Sequence, residues 1–159
     1  MPDSLADGRT RVAWVSTISN TAAPTVAELN AGTLLQSLLT PDGLNGFQPD
    51  TADVDVSALD STFNTNVAGR ASFSGTMLRL KKQTGTDTVY NLLVRDTIGY
   101  VVIRRDSTAS TAWATSDKVE VYPSVLGEVR NLDPEANSVH KYEVPIKVSS
   151  SPNLRATVA

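Results

Sequence analysis

The segment Thr84–Tyr122, TGTDTVYNLLVRDTIGYVVIRRDSTASTAWATSDKVEVY, decides the fold because its apolar residues change from a helical to a strand-like period. Thr86 or Asp87 can cap a short helix at its start, since a short side-chain oxygen accepts hydrogen bonds from the free N–H groups of the first turn. The apolar face of that helix would be formed by Val89, Leu92 and Leu93.

Two strands follow the helix. Gly99 comes after the last helical turn, and Tyr100–Ile103 is a run of β-branched and aromatic residues, which is typical of a strand. Lys118–Tyr122 alternates strictly and stops at Pro123. Because the rest of the chain is strand and loop, we expect a mainly β fold, a sandwich or barrel of six to eight strands with one flanking helix.

Composition narrows the class of protein. The 159 residues predict a single domain, and the net charge of −3 argues against a general nucleic-acid binder, which needs a basic patch to hold phosphates. The chain has no cysteine, which excludes disulfides, thiolate metal sites and cysteine nucleophiles. The first residues carry neither the basic nor the apolar part of a signal peptide, and no apolar run approaches the ~20 residues of a membrane span.

The first 40 residues predict a strand, a helical turn and a second strand. Arg11–Val15 is strand-like, and Thr25–Glu28 matches a capping box in which Thr bonds forward and Glu bonds back. Gly32 suits the left-handed position that ends a helix. Leu34–Leu39 fits a strand or a helix, and its flanking threonines and the following Pro-Asp-Gly turn favour a strand.

Further along, Arg70–Gln83 predicts one long strand whose apolar phase shifts, which a β-bulge near Gly75–Leu78 would explain. Tyr142–Val148 alternates like a half-buried strand. Pro145 cannot donate a ladder hydrogen bond, so that strand is expected to be an edge or to point the missing N–H outward.

Three segments are expected to lie outside this framework. Residues 1–10 form a polar arm, residues 41–70 form a long irregular loop, and residues 149–159 form a tail that is disordered on its own. Loops as long as 41–70 are uncommon inside a compact domain and usually serve function or binding.

Few residues are candidates for catalysis, ligand stacking or metal binding. His140 is the sole histidine and lacks a nucleophile elbow nearby, so an exposed strand residue is favoured over a catalytic one. Trp14 and Trp113 are favoured as core anchors over sugar-stacking platforms. Four nearby carboxylates could offer oxygen ligands to a hard cation, but they lack the spacing of a calcium loop, and a solvated acidic face is favoured. These four are Asp50, Asp53, Asp55 and Asp60. We predict no cofactor and no catalytic residue.

Two basic pairs stand at strand ends, and two interpretations of them remain open. They are either solvated strand termini or charges that pair across a subunit interface. The residues are Lys81, Lys82, Arg104 and Arg105.

The chain as a whole resembles the major tail tube proteins of long-tailed, non-contractile (siphovirus-type) bacteriophages, especially those that infect actinobacteria. The likeness spans nearly the whole chain in order. It rests on Asp7–Val15 (DGRTRVAWV), Thr25–Gly32 (TVAELNAG), Leu39–Leu44 (LTPDGL), Thr86–Asn91 (TDTVYN), Gly99–Arg105 (GYVVIRR), Val119–Pro123 (VEVYP) and Ala156–Ala159 (ATVA).

The resemblance implies a non-enzymatic virion protein, made in the host bacterial cytoplasm, whose hexameric rings stack into a hollow tube. DNA would pass through that tube without specific binding, and a tape-measure protein and a tail terminator would be partners. Residues 1–10 and 149–159 would be interface arms, and 41–70 would be the ring-stacking loop. Within and beside that loop the candidate contact residues are Asp42, Asn45, Phe47, Asp50, Asp53, Asp55, Asp60 and Phe63.

Other classes predict different behaviour. A carbohydrate-binding or adhesin β-sandwich would be monomeric with aromatics in a line, whereas a tail terminator or head–tail connector would form a single ring. A catalytic protein is a third class. An edge strand can template pairing with a neighbouring copy, which suits a ring. An acidic lumen, our hypothesis from the net charge, would let DNA slide without sticking.

Overall fold

Eleven strands and two short helices make up the chain, and the computed structural model describes residues 1–159. Strands dominate, so the predicted mainly β fold class is confirmed. In chain order the elements are β1 (Arg11–Val15), α1 (Val26–Asn30), β2 (Thr33–Leu34), β3 (Leu39–Asn45), β4 (Asp50–Asp55), β5 (Asn66–Ser72), β6 (Met77–Lys81), α2 (Thr88–Leu92), β7 (Ile98–Arg104), β8 (Lys118–Leu126), β9 (Arg130–Asn131), β10 (Lys141–Val148) and β11 (Asn153–Thr157).

The main sheet is a curled half-barrel of seven antiparallel strands in the order β2-β1-β7-β8-β10-β6-β3. β11 pairs with β8 and β9 pairs with β10 beside this path, while β4 and β5 pair only with each other. Seven strands on the path agree with the six to eight predicted. The additional strands are short pairings and a separate hairpin.

The sheet curls at strand β10, whose two halves pair with different neighbours. Lys141–Pro145 pairs with β6, and Ile146–Val148 pairs with β8 on the opposite edge. β10 is therefore not an edge strand, and that part of the prediction is wrong. Pro145 stands where pairing passes from one neighbour to the other, a position at which a missing N–H costs little.

Strands β1, β7 and β8 are buried on both faces, which explains why Tyr100–Ile103 is apolar without alternation. Their side chains point alternately into two apolar clusters. The first, inside the curl, includes Trp14 and Tyr122, and the second, on the outer face, includes Trp113. Both tryptophans are buried, so their predicted role as core anchors is confirmed.

Each helix covers one of these clusters. Asp87 caps α2 by accepting from the Tyr90 N–H at 3.1 Å, and Val89 and Leu93 lie in the first cluster. Leu92, predicted on the same face, is partly exposed. α1 places Leu29 in the second cluster.

The predicted capping box of α1 is present. The Thr25 hydroxyl accepts from the Glu28 N–H at 3.2 Å, and the Glu28 carboxylate accepts from the Thr25 N–H at 3.0 Å and from Ser19 Oγ at 2.8 Å. These hydrogen bonds lower the pKa of Glu28. Gly32, however, is not left-handed. A Cβ there would lie 2.8 Å from Trp14 O and from Val15 Cγ2, so glycine is required by close packing against β1.

Two predicted strands are divided. Only Thr33–Leu34 and the strand beginning at Leu39 are extended, because Leu35 and Leu38 form a turn closed by the Leu38 N–H to Leu35 O hydrogen bond of 3.0 Å. Residues 70–83 break between β5 and β6, where Gly75 has a φ of +66°. The shift in apolar phase therefore marks a change of strand and not a β-bulge.

The segments expected to be irregular contain strands as well. Residues 41–70 hold most of β3, all of β4 and most of β5. Residues 149–159 hold β11, whose Ala156 packs with Val158 in the second cluster, so this tail is ordered on its own chain. Residues 1–8 are exposed, and residues 9 and 10 are half-buried. The assembly roles of these segments stay predictions.

Thr25→Ala is expected to lower the free energy of unfolding by about 1 kcal/mol, because the Glu28 N–H loses its acceptor. Thermal unfolding followed by circular dichroism should show a melting temperature lower by about 2–4 °C. Thr62→Ala, at an exposed position on the hairpin, is the control. Equal melting of both variants and the parent would contradict the assignment.

Tyr142→Phe is expected to stabilise the protein by about 1 kcal/mol, because the Tyr142 hydroxyl is buried without a hydrogen-bond partner. The ring contact with Tyr90, at 5.0 Å between centroids, is kept. Tyr122→Phe should instead destabilise at neutral pH, since the Tyr122 hydroxyl lies 3.0 Å from Glu120 Oε1. Denaturant titration of both variants measures the difference.

These tyrosines also limit the stability of the folded protein at alkaline pH. Burial raises the pKa of Tyr122 and of Tyr142 above the value of about 10 in the unfolded chain. Above pH ~10 the unfolded chain loses protons that the folded chain keeps, so stability is intact below that pH and falls above it. Tyr142→Phe should lose stability more slowly than the parent between pH 9 and pH 11.

Candidate assembly surfaces

A β-hairpin, β4 and β5 with their connecting loop, extends from the sheet without packing against it. None of its residues from Asp50 to Ser72 is buried, and its strands form a separate two-stranded sheet. An isolated two-stranded hairpin is only marginally stable in water. This surface is therefore one that contact with another molecule would stabilise.

The hairpin has two chemically different faces. Val54 lies opposite Val67, while Asp53 lies opposite Ala68 on the other face, where Asp55 also lies opposite Asn66. The Val56 N–H donates to Thr65 O at 2.8 Å and extends the ladder. An exposed apolar face of Val54, Val56 and Val67 thus backs onto an acidic face.

The loop between the two strands, which we call the hairpin tip (residues 56–65), is held by side-chain hydrogen bonds. Ser57 Oγ accepts from the Thr65 N–H at 2.8 Å, and Ser61 Oγ both accepts from the Phe63 N–H at 3.1 Å and donates to Phe63 O at 2.9 Å. Leu59 is fully exposed, and Phe63 is 76% exposed. The tip presents two apolar side chains on a loop that is held by its own hydrogen bonds.

The predicted stacking residues divide between the hairpin and the body. Five belong to the hairpin and are exposed, namely Asp50, Asp53, Asp55, Asp60 and Phe63. The Asp55 carboxylate accepts from the Ser57 N–H at 2.8 Å, and hydrogen bonding to Ser57 lowers the pKa of Asp55. No group of carboxylates or histidines gathers as a metal site.

The other three stacking candidates lie at or near β3. Asp42 and Asn45 are exposed, and the Asp42 carboxylate contacts Arg79 and accepts from Thr40 Oγ1 at 2.7 Å, which lowers its pKa. Phe47 is 6% exposed, and its ring meets Tyr122 edge-on at 5.1 Å. Phe47 is therefore a core residue, and its place among the contact candidates is wrong.

The four basic candidates have different surroundings. Lys81 has no ion-pair partner in the chain, and Lys82 Nζ lies 4.7 Å from the centre of the Tyr90 ring. Arg105 is exposed and uses Nε for Glu120. Arg104 is 1% exposed and paired with Asp117 at 2.8 Å inside the chain, which removes it from the surface. Neither prediction for Arg104 anticipated this burial.

Arg104 organises the loop between β7 and β8. Its Nη1 donates to Ala112 O at 3.0 Å and to Asp117 Oδ2 at 2.8 Å. Its Nη2 donates to Thr108 O at 3.0 Å and to Thr111 O at 2.6 Å. The opposing Arg11 donates to Ala109 O at 2.8 Å, and burial, then repulsion from Arg104, lowers the pKa of Arg11.

A further feature, which the sequence analysis missed, is a cavity of about 640 Å³ between the two ends of the curled sheet. We call it the seam pocket. Val12 of β1 stands on one side, and Leu39 and Leu44 of β3 stand on the other. Lys81 and Arg105 also line it, with Ser37 exposed at its edge.

The ends of the sheet are open to pairing. β3 is the last strand on one side and has only β6 as a partner, while β2 covers no more than Ala13 and Trp14 of β1. Unpaired backbone groups along such edges can accept a strand from a neighbouring copy.

His140 is exposed just before β10, and neither helix has the length and apolarity of a membrane span.

Comparison with known proteins adds an independent finding. A family model described as "Phage tail tube protein" matches residues 1–159. Among solved structures, a chain of the "Cryo-EM structure of the anti-feeding prophage (AFP) baseplate, 6-fold symmetrised" is similar in fold, with a TM-score of 0.59 at 12% identity over 96% of both chains. No curated protein matches the sequence.

Proposed function

Because the chain belongs to the phage tail tube protein family, whose model spans residues 1–159, we propose that its copies form hexameric rings that stack into a hollow tail tube. The chain is a structural protein of the phage tail. In this proposal the tube conducts DNA from the capsid to the host cell, and no step requires catalysis.

The observation that carries the proposal is the exposed hairpin, together with the family match. A hairpin of 23 residues without one buried side chain has no stabilising role in the monomer. Contact between successive rings would cover it. Open edges at β3 and β1 supply a lateral surface through which neighbouring copies of one ring would pair.

The finer features of the proposal follow from the family. The similar fold comes from a baseplate described as six-fold symmetrised, which supports six copies in a ring. We place the protein in a siphovirus-type tail, made in the bacterial cytoplasm, with a tape-measure protein in the lumen and a terminator at one end. Residues 1–10 and 149–159 remain the proposed interface arms.

Negative-stain electron microscopy of the purified protein at high concentration, beside size-exclusion chromatography, tests the proposal. Hollow filaments with a regular ring repeat are expected. Isolated rings that never stack would favour a terminator or connector. A monomer that stays monodisperse with tail-tip components added would overturn the proposal and favour a binding module.

A further inference from the structure

The net negative charge of the chain lies on the hairpin. Residues 50–72 contain four aspartates and one arginine, a net of −3, which equals the net charge of the whole chain. The remaining residues are therefore neutral in sum. An acidic projection on a neutral body favours contact with a basic site on its partner.

The seam pocket offers such a site in combination with apolar walls. Lys81 has no ion-pair partner in the chain, and Arg105 pairs with Glu120 through Nε alone. Asp7 is the one acidic residue of the lining, so the pocket is net positive. A volume of about 640 Å³ is within the range that holds bulky side chains.

We propose that the hairpin tip of one copy binds in the seam pocket of a second copy, with Leu59 and Phe63 against the apolar walls and Asp60 beside Lys81 and Arg105. This inference rests on the proposed function, because it names the surface that receives the hairpin when rings stack. Leu39 and Leu44, which are half-buried, supply the walls. The charge of Lys81 then gains the partner that it lacks within its own chain.

The conformation of the tip supports this occupant. Ser57 and Ser61 fix the loop by hydrogen bonds before any contact is made, so little conformational entropy is lost on binding. Two exposed apolar side chains beside one carboxylate match a pocket with apolar walls and a basic rim. The contact is also heterologous, since tip and pocket are different surfaces, and it therefore propagates from copy to copy.

Disulfide trapping tests the contact directly, because the native chain has no cysteine. Chains carrying Leu59→Cys are mixed with chains carrying Ser37→Cys under mild oxidation, and covalent dimers are resolved on a non-reducing gel. Both positions are exposed, so the fold tolerates the changes. We expect the mixed dimer to form much faster than with Val139→Cys chains, where the exposed residue lies away from the pocket.

The electrostatic part is tested by Asp60→Lys, which places a third cation at the pocket. The protein concentration for half-maximal tube formation should rise roughly tenfold, while Glu135→Lys, the same charge change in another exposed loop, should leave it unchanged. Equal behaviour of the two variants would overturn the role of Asp60.

Failure of the inference is distinguishable from failure of the proposed function. If the parent protein forms tubes but Leu59→Cys cross-links no faster to Ser37→Cys than to Val139→Cys, the contact is wrong and the tube stands. If the Ser37→Cys cross-link forms and yet no tube or ring appears at any concentration, the contact stands and the tube is wrong.

Discussion

Replacing Arg104 by methionine is expected to lower the free energy of unfolding by about 3–5 kcal/mol, the largest effect of any single substitution proposed for this chain. Methionine fills similar space but donates nothing. Asp117 would lose its buried cation, and the carbonyl oxygens of Thr108, Thr111 and Ala112 would lose their donor. Urea denaturation followed by circular dichroism measures the loss.

Tryptophan fluorescence shows which part of the structure loosens in Arg104→Met. The Arg104 guanidinium lies 5.3 Å from the centre of the Trp113 ring, so loosening of residues 106–117 should expose that indole and shift its emission to the red. Trp14, on the opposite face of β1, is held by the first cluster and should contribute an unchanged emission.

The adjacent Arg105 provides the matched control. Arg105→Met removes one exposed ion pair with Glu120, and such pairs contribute about 1 kcal/mol or less. Similar losses from the two substitutions would contradict the assignment of Arg104 as the buried anchor. If Arg104→Met lowers the stability and Arg104→Lys does not, the positive charge alone is sufficient for stability, and the several N–H donors of the guanidinium are not needed.

These neighbouring arginines show what a sequence pattern does not contain. Both follow the same apolar run, and the sequence pattern predicts the same role for both, either a solvated strand terminus or an interfacial charge. The Arg104 side chain points into the protein because successive side chains of β7 point to opposite faces of the sheet. The loop to β8 then folds over this side chain and surrounds it with carbonyl oxygens. That loop conformation depends on contacts across the sheet, which no local pattern encodes.

Phe47 and Phe63 make the same point for the proposed contact surface. Both lie in the segment predicted to be irregular, yet one packs on Tyr122 and the other is exposed on the hairpin tip. Phe47 is buried by a contact with Tyr122, 75 positions away. Phe63 lies on the tip because β4 pairs with β5, whose partners are 11 (Asp55 and Asn66) to 22 (Asp50 and Ser72) positions apart. The alternation of Asp53, Val54 and Asp55 is visible in the sequence and could have indicated the hairpin.

Local chemistry, by contrast, was sufficient elsewhere. The capping box at Thr25 and Glu28, the cap of α2 at Asp87 and the strand after Gly99 all depend on neighbours within a few residues. Such features are specified by hydrogen bonds and periodicity inside one short window. The seam pocket brings together β1, β3 and β6, which are distant in sequence, so only the folded structure could reveal it.

Removing the hairpin is expected to abolish tube formation while the body of the protein stays folded. Asp50 and Ser72 are cross-strand partners, so an Asn-Gly turn can replace residues 51–71 without straining the body. The stability of the body should change by no more than about 1 kcal/mol, because no buried residue is removed. Electron microscopy and size-exclusion chromatography should find rings or single copies and no filaments.

A milder variant separates the apolar tip from the rest of the hairpin. Leu59→Ser with Phe63→Ser keeps both strands and their acidic face but removes the side chains proposed to enter the seam pocket, so stacking should weaken strongly. Val139→Ser, an exposed apolar residue outside the hairpin, should assemble like the parent. Filaments of normal length from the hairpin-free protein would mean that stacking depends on other surfaces, and the exposed hairpin would then need a different partner.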